Sequence, residues 1–139
     1  MQWPKGIKAR GEFRRDPGHV IDFVPTLLDL AGGSITNVWR GATAPPLPGK
    51  SLVPAFVKDG TVKHDFLFFQ HEGNSALRVG DWKVVSAREN ESRWELYNLA
   101  KDRSELHDLA AQQPERAQQM EAQWSELEKT FRSQYSTSK

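Results

Sequence analysis

The sequence predicts an α+β fold, a four-stranded antiparallel sheet packed by a long C-terminal amphipathic helix. Three observations carry this. Residues 66–99 hold four short apolar or alternating runs separated by polar turns. Within them Trp82 and Val84 fall on one face, as do Trp94 and Leu96, because side chains alternate along a strand. Downstream, Ala117, Met120, Trp124, Leu127 and Phe131 step by three and four, the apolar stripe of a helix. Three or more strands with an apolar face hold together once covered, and the stripe supplies the cover.

The elements follow in order. FLFFQ (66–70) is a continuous apolar run, which predicts a strand covered on both faces. Residues 76–79 and 82–85 flank Gly80-Asp81, a Gly-X pair suited to a type II′ hairpin. WELY (94–97) closes the set after a charged tip, 88–93. Residues 99–113 form a polar connection with Leu106 and Leu109 as anchors. Pro114 suits the first position of the helix, with Glu115 favourable near its positive end, and the stripe predicts a helix over 114–132. A frayed polar tail, 134–139, ends the chain.

The first 60 residues read differently. Residues 3–7 (WPKGI) look like a strand end running into a turn, 11–13 like a short extended piece, and Asp16-Pro17-Gly18 like a turn. DFVPTLLDLA (22–31) predicts a short helix capped by Asp22, with Pro25 in its first turn and Gly32-Gly33 as its stop. Phe23, Leu27, Leu30 and Ala31 share one face, widened by Val24 and Leu28. That face needs a large partner surface, and little in the first 60 residues offers one. Residues 34–50 form a long Pro- and Gly-rich connection, and 51–57 predict one helical turn with Ser51 as cap and Pro54 in its first turn.

Composition narrows the function classes. The chain of 139 residues is 37% hydrophobic and 27% charged, with net charge +1, so no global field favours nucleic acid or an anionic membrane. The basic opening, 1–15, lacks both a secretory h-region and aromatic interleaving. No apolar run approaches the ~20 residues of a membrane span. Without Cys there are no disulfides, thiolate metal sites or thiol nucleophiles. His19, His64, His71 and His107 lack ligand spacing, and Asp16, Asp22 and Asp29 read as turn, cap and helix surface, so no metal site is predicted. Ser51 in Gly49-Lys50-Ser51-Leu52 is not a nucleophile elbow, and Ala44 stands where a P-loop needs its first glycine. No catalytic residue is predicted.

The most chemical cluster is His71-Glu72-Gly73-Asn74, where a strand leaves the sheet. His71 can donate to an anionic or hydroxyl-bearing ligand, and Asn74 can donate and accept. The plainer reading is a Gly73-Asn74 hairpin turn with His71 as a polar flank.

Five segments in order resemble the C-terminal part of the sulfatase family: WPKGI (3–7), DFVPTLLDLAG (22–32), PLPGKSL (46–52), HEGN-ALR-GDWK (71–83), and WELYNL (94–99) followed by Asp108-Leu109. The resemblance implies a type I sulfatase, whose large α/β domain precedes a small subdomain of four antiparallel strands and a helix. On that reading, 1–60 are a remnant of the end of the α/β catalytic domain and 61–139 the C-terminal subdomain. Such enzymes hydrolyse sulfate esters with a formylglycine made from a Cys/Ser-x-Pro-x-Arg motif, beside calcium. Neither motif occurs here, so formylglycine and calcium are expected in a missing N-terminal domain, and no cofactor or catalysis in this chain alone. The resemblance places His71, Glu72 and Asn74, with Arg78, on the substrate rim of an arylsulfatase-like parent. The expected partners are the N-terminal sulfatase domain and a sulfate-ester substrate. Such parents are often periplasmic or secreted. The alternative is a free-standing interaction module, forming homo-oligomers through the exposed apolar helix 22–31. A phosphoryl-transfer enzyme of the same superfold fits the small-subdomain motifs less well.

Overall fold

The computed structural model describes residues 3, 5–34, 38–44, 46–91 and 93–137. Residues 1–2, 4, 35–37, 45, 92 and 138–139 of the segments read above lie outside them. The chain divides into two compact units, Met1–His64 and Asp65–Lys139.

In the first unit a 3-10 turn, Val20–Asp22, leads into helix α1, Phe23–Leu30. Asp22 stands at the N-cap position of α1 as predicted, but its side chain makes no capping bond to that helix. His19 starts the turn instead, and the fully buried Asp22 carboxylate accepts from His19 N (2.8 Å) and Lys50 N (2.8 Å). These partners come from separate segments, which is why local spacing suggested only a cap. His64 Nε2, also buried, lies 3.1 Å from Asp22 Oδ2 but outside hydrogen-bond geometry. Gly32-Gly33 is the stop the sequence predicts. Gly33 N donates to Leu28 O (2.8 Å) and Gly32 N to Asp29 O (3.2 Å), with Gly32 at φ 64°, a Schellman closure.

The Pro- and Gly-rich connection contains a small hairpin that the sequence reading missed. Strands β1 (Val38–Trp39) and β2 (Ala42–Thr43) pair around Arg40-Gly41 at φ 50° and 83°. Both central residues are left-handed, the type I′ requirement. Strands of two residues are too short to show alternation. Helix α2, Val53–Val57, has Leu52 as N-cap, one residue later than predicted, while Ser51 Oγ accepts from Val53 N (3.2 Å). Gly6 N and Ile7 N donate to Trp3 O, the expected turn, but no strand precedes it among the described residues, and 11–13 join no sheet.

Asp16 ties the end of this unit together. Its carboxylate accepts from the N–H groups of Gly60, Thr61 and Val62 at 2.7–3.0 Å. Burial pushes its pKa up, but bonds from Val62, Thr61 and Gly60 outweigh that and hold it below the usual 3.8. A depressed folded pKa contributes stability above the unfolded value that is lost as pH falls through the folded one. The stability gap between wild type and Asp16→Ala is therefore expected to shrink as pH drops from about 5 to about 2. Urea midpoints across that range check it, and parallel curves would refute it.

The second unit is the predicted sheet and helix. Strands β3 (Leu67–His71), β4 (Asn74–Val79), β5 (Trp82–Ser86) and β6 (Trp94–Asn98) pair antiparallel in that order. Gly80 takes φ 58° and Asp81 keeps a negative φ, the type II′ combination, between the paired Val79 and Trp82. Register aligns Phe68, Leu77, Val84 and Leu96 in one row. Leu77, Val84 and Leu96 are buried with Ala117, Met120 and Trp124 of helix α3, Pro114–Thr137. Helix α3 starts at Pro114 as predicted but runs beyond 132. No Gly or Pro interrupts it, and Arg132 pairs with Glu128 one turn back.

Two readings are corrected here. β3 is an edge strand and Phe69 is exposed, so the apolar run is not covered on both faces. Of the two expected anchors in the connection, Leu109 packs on the core and Leu106 stays in solvent. Leu109 N donates to Leu96 O (2.8 Å) and Asp108 Oδ1 accepts from Leu96 N (3.0 Å), which satisfies part of the outer edge of β6.

Candidate functional site

The β3–β4 hairpin carries the predicted cluster at its tip. The turn is Glu72-Gly73, with φ 49° and 85°, and His71 pairs with Asn74 across it. The turn thus sits one residue earlier than a Gly73-Asn74 reading, and Asn74 opens β4. Left-handed φ at Glu72 is a strained choice for a residue with a side chain, whereas Gly73 accepts it freely.

His71 and Glu72 point into solvent, their side chains 84% and 79% exposed. They approach to 3.9 Å, a separation and exposure that add almost nothing to stability. Both are thus available to a ligand. Asn74 is partly committed, since its Oδ1 accepts from Arg88 N (3.1 Å). Arg78 is not brought to the tip. It lies four residues along β4, about 13 Å at about 3.3 Å per residue, and its Nε donates to Gly80 O (2.9 Å). His71, Asn74 and Arg78 do share a face, because all three have the parity opposite to Leu77. That is the sheet face turned away from α3.

Beside the tip an open groove of about 630 Å³ runs between the end of β3 and the last turns of α3. His71, Glu72, Phe131 and Arg132 line it. Its floor is set by Glu128, whose Oε1 accepts from Gln70 Nε2 (3.0 Å) and Arg132 Nε (2.7 Å). The Arg132 guanidinium, then Gln70, hold the Glu128 carboxyl below its usual range. The sequence reading missed Glu128 and Arg132, because only the fold brings the helix end beside the hairpin.

This arrangement suits binding. It offers donors and acceptors to hydroxyls and anions, and its lining holds no Ser, Thr or Lys that could serve as a nucleophile. Among the described residues no group of three or more His, Cys, Asp or Glu could hold a metal ion. Nor is any described helix long and apolar enough to cross a membrane.

Comparison with known proteins agrees with this architecture. The family model "N-sulphoglucosamine sulphohydrolase, C-terminal" matches residues 1–133. N-acetylglucosamine-6-O-sulfatase of Bacteroides thetaiotaomicron is 27% identical over 113 residues, covering 78% of this chain and 20% of the relative. Arylsulfatase K of Danio rerio is 29% identical over 127 residues, covering 84% and 23%. The crystal structure of Ps i-CgsB superposes with a TM-score of 0.68 at 26% identity, over 90% of this chain and 27% of that one. The chain thus spans about a fifth to a quarter of the length of these relatives. With the match running through both units, this chain belongs to the sulfatases, as a member of the N-sulphoglucosamine sulphohydrolase C-terminal family.

Proposed function

We propose that this chain serves as the C-terminal portion of an arylsulfatase-like sulfuric ester hydrolase, completing its fold and forming part of the rim of its substrate pocket. The observation that carries the reading is the apolar face of α1. Phe23 and Leu27 are 61% and 64% exposed, and Val24 is exposed beside them. A face of this size on so short a helix calls for a covering surface. Relatives about four times as long supply a candidate in their preceding residues. Residues 1–60 would then be the end of the α/β catalytic domain, and 61–139 the small subdomain.

On this reading the ester is cut by groups upstream. Formylglycine would supply an oxygen nucleophile and calcium would stabilise charge on the sulfate. The contribution of this chain is to hold the organic part of a sulfated sugar. His71 donates, Glu72 accepts and Asn74 does either at the tip, while Arg78 reaches a more distant group on the same face. The proposed substrate class, sulfated amino sugars, follows the names of one relative and of the matching family.

Two results test this. The purified chain should not turn over an aryl sulfate, and turnover abolished by a substitution within it would overturn the reading. In the full-length sulfatase, His71→Ala should lower kcat/KM for a sulfated sugar about three- to tenfold, the loss of one hydrogen bond, and leave a small aryl sulfate unaffected. An unchanged kcat/KM on every substrate would remove His71 from the rim. A second copy of the chain competes for the α1 face. A dimer in solution that Leu27→Glu splits would point to self-association instead.

A further inference from the structure

We propose that Arg88 is the guanidinium of the rim, reading an anionic group, sulfate or carboxylate, carried by the bound sugar. The inference rests on the rim reading above and adds a residue to it. Three observations carry it. Arg88 begins the second 3-10 turn, Arg88–Asn90, which the β4–β5 pairing places against the hairpin tip. Its aliphatic stem lies across Gly73, where a Cβ would meet Arg88 Cδ at 3.4 Å and Cβ at 3.6 Å. Its N–H donates to Asn74 Oδ1, so backbone and stem are both fixed on the tip.

The charged end, by contrast, is uncommitted. Among the described residues no hydrogen bond or ion pair engages the Arg88 guanidinium. Arg103 apart, the other arginines of this unit are engaged. Arg78 Nε bonds Gly80 O, Arg93 reaches Glu95 and Asp108, and Arg132 holds Glu128. A guanidinium with a fixed stem and free donors presents a fork matched to a planar carboxylate or a sulfate edge. Glu89 follows Arg88 in sequence and Glu72 adjoins Gly73, so the tip is no diffuse basic patch. Recognition there depends on the fork, with Glu72 left to accept from sugar hydroxyls. The absence of a side chain at Gly73 thus serves two ends, the left-handed turn and the seat for the Arg88 stem.

The test is an amide chemical-shift titration of the whole chain with three probes: N-acetylglucosamine-6-sulfate, glucuronic acid and unmodified N-acetylglucosamine. The proposal expects shifts at 71–74 and 88–90 with the sulfated sugar, the acid or both, and which of the two binds names the anion. Arg88→Ala, which keeps the backbone bond to Asn74, should weaken binding at least about tenfold, with Arg88→Lys intermediate. Arg103→Ala, at an exposed arginine outside the rim, should leave binding at the tip unchanged. If Arg88→Ala binds like wild type while His71→Ala does not, the rim stands and Arg88 is not part of it. Equal binding of unmodified N-acetylglucosamine overturns the anion reading. No shift at the tip with any probe overturns the rim and this proposal together.

Discussion

Trp124→Ala is expected to cost about 3–5 kcal/mol, enough to strip the sheet of its cover. The indole does three jobs at once. It stacks on Phe68 with centroids 5.4 Å apart and planes 13° from parallel, and it meets Trp94 at 5.4 Å and 58°. Its Nε1 donates to Phe69 O (3.2 Å), a carbonyl of the edge strand. Truncation therefore opens a cavity between two aromatic rings and leaves that carbonyl without its donor. A small domain has only about 5–15 kcal/mol in total, so the loss is large. Trp124→Phe separates the contributions, keeping most of the bulk and losing only the hydrogen bond, for about 1–2 kcal/mol. Phe131→Ala should cost less than Trp124→Ala. Phe131 meets Phe68 edge-on at 5.1 Å but remains partly in solvent. Amide exchange at Leu77, Val84 and Leu96 gives the readout, since these three share the buried core with the indole. Protection there that survives Trp124→Ala would mean that α3 is not what covers the sheet.

The core of the second unit was legible because its signals are local. Alternation set Trp82 with Val84 and Trp94 with Leu96, Gly80-Asp81 marked its own turn type, and the stripe from Ala117 to Phe131 needed only the helical period. What was misread depends on partners far away in sequence. Whether FLFFQ has neighbours on both sides is decided by strand order, which leaves β3 at the edge and Phe69 exposed. The β1–β2 hairpin is too short to carry a period. At the site, His71-Glu72-Gly73-Asn74 was visible as chemistry at a strand end. Arg88 appeared only as one charge in a polar tip, because nothing in its neighbours announces that its stem lies on Gly73. Arg78 looked equally suitable from spacing, and only the strand rise separates it from the tip.

Asp22 is the clearest case of a residue whose role the sequence hid, and its loss is the second large effect expected. Its carboxylate accepts from Lys50 N and His19 N, 28 and 3 residues away, and sits 3.1 Å from His64 Nε2, 42 residues away. Its carbonyl accepts from Thr26 Oγ1 (2.6 Å), and that oxygen in turn accepts from Leu52 N (2.9 Å). One fully buried side chain thus joins α1 to the segment before α2 and to the end of the unit. Asp22→Ala would strand two backbone donors and remove the carboxylate beside His64 Nε2, a loss of about 3–5 kcal/mol. Asp22→Asn keeps the shape but turns one oxygen into a donor facing a donor, so about 2 kcal/mol should still be lost. Gly49 offers an independent check, because a Cβ there would lie 2.0 Å from Ile21 O and 2.9 Å from Asp22 N, both backbone atoms that cannot easily move. Gly49→Ala should therefore push the Lys50 segment off the carboxylate and reproduce part of the Asp22→Ala defect. Protease sensitivity within 19–64, compared with that of 65–137, gives the measurement. Sensitivity confined to the first unit in all three variants fits the hub, whereas an Asp22→Asn chain as resistant as wild type would show that the carboxylate holds nothing together.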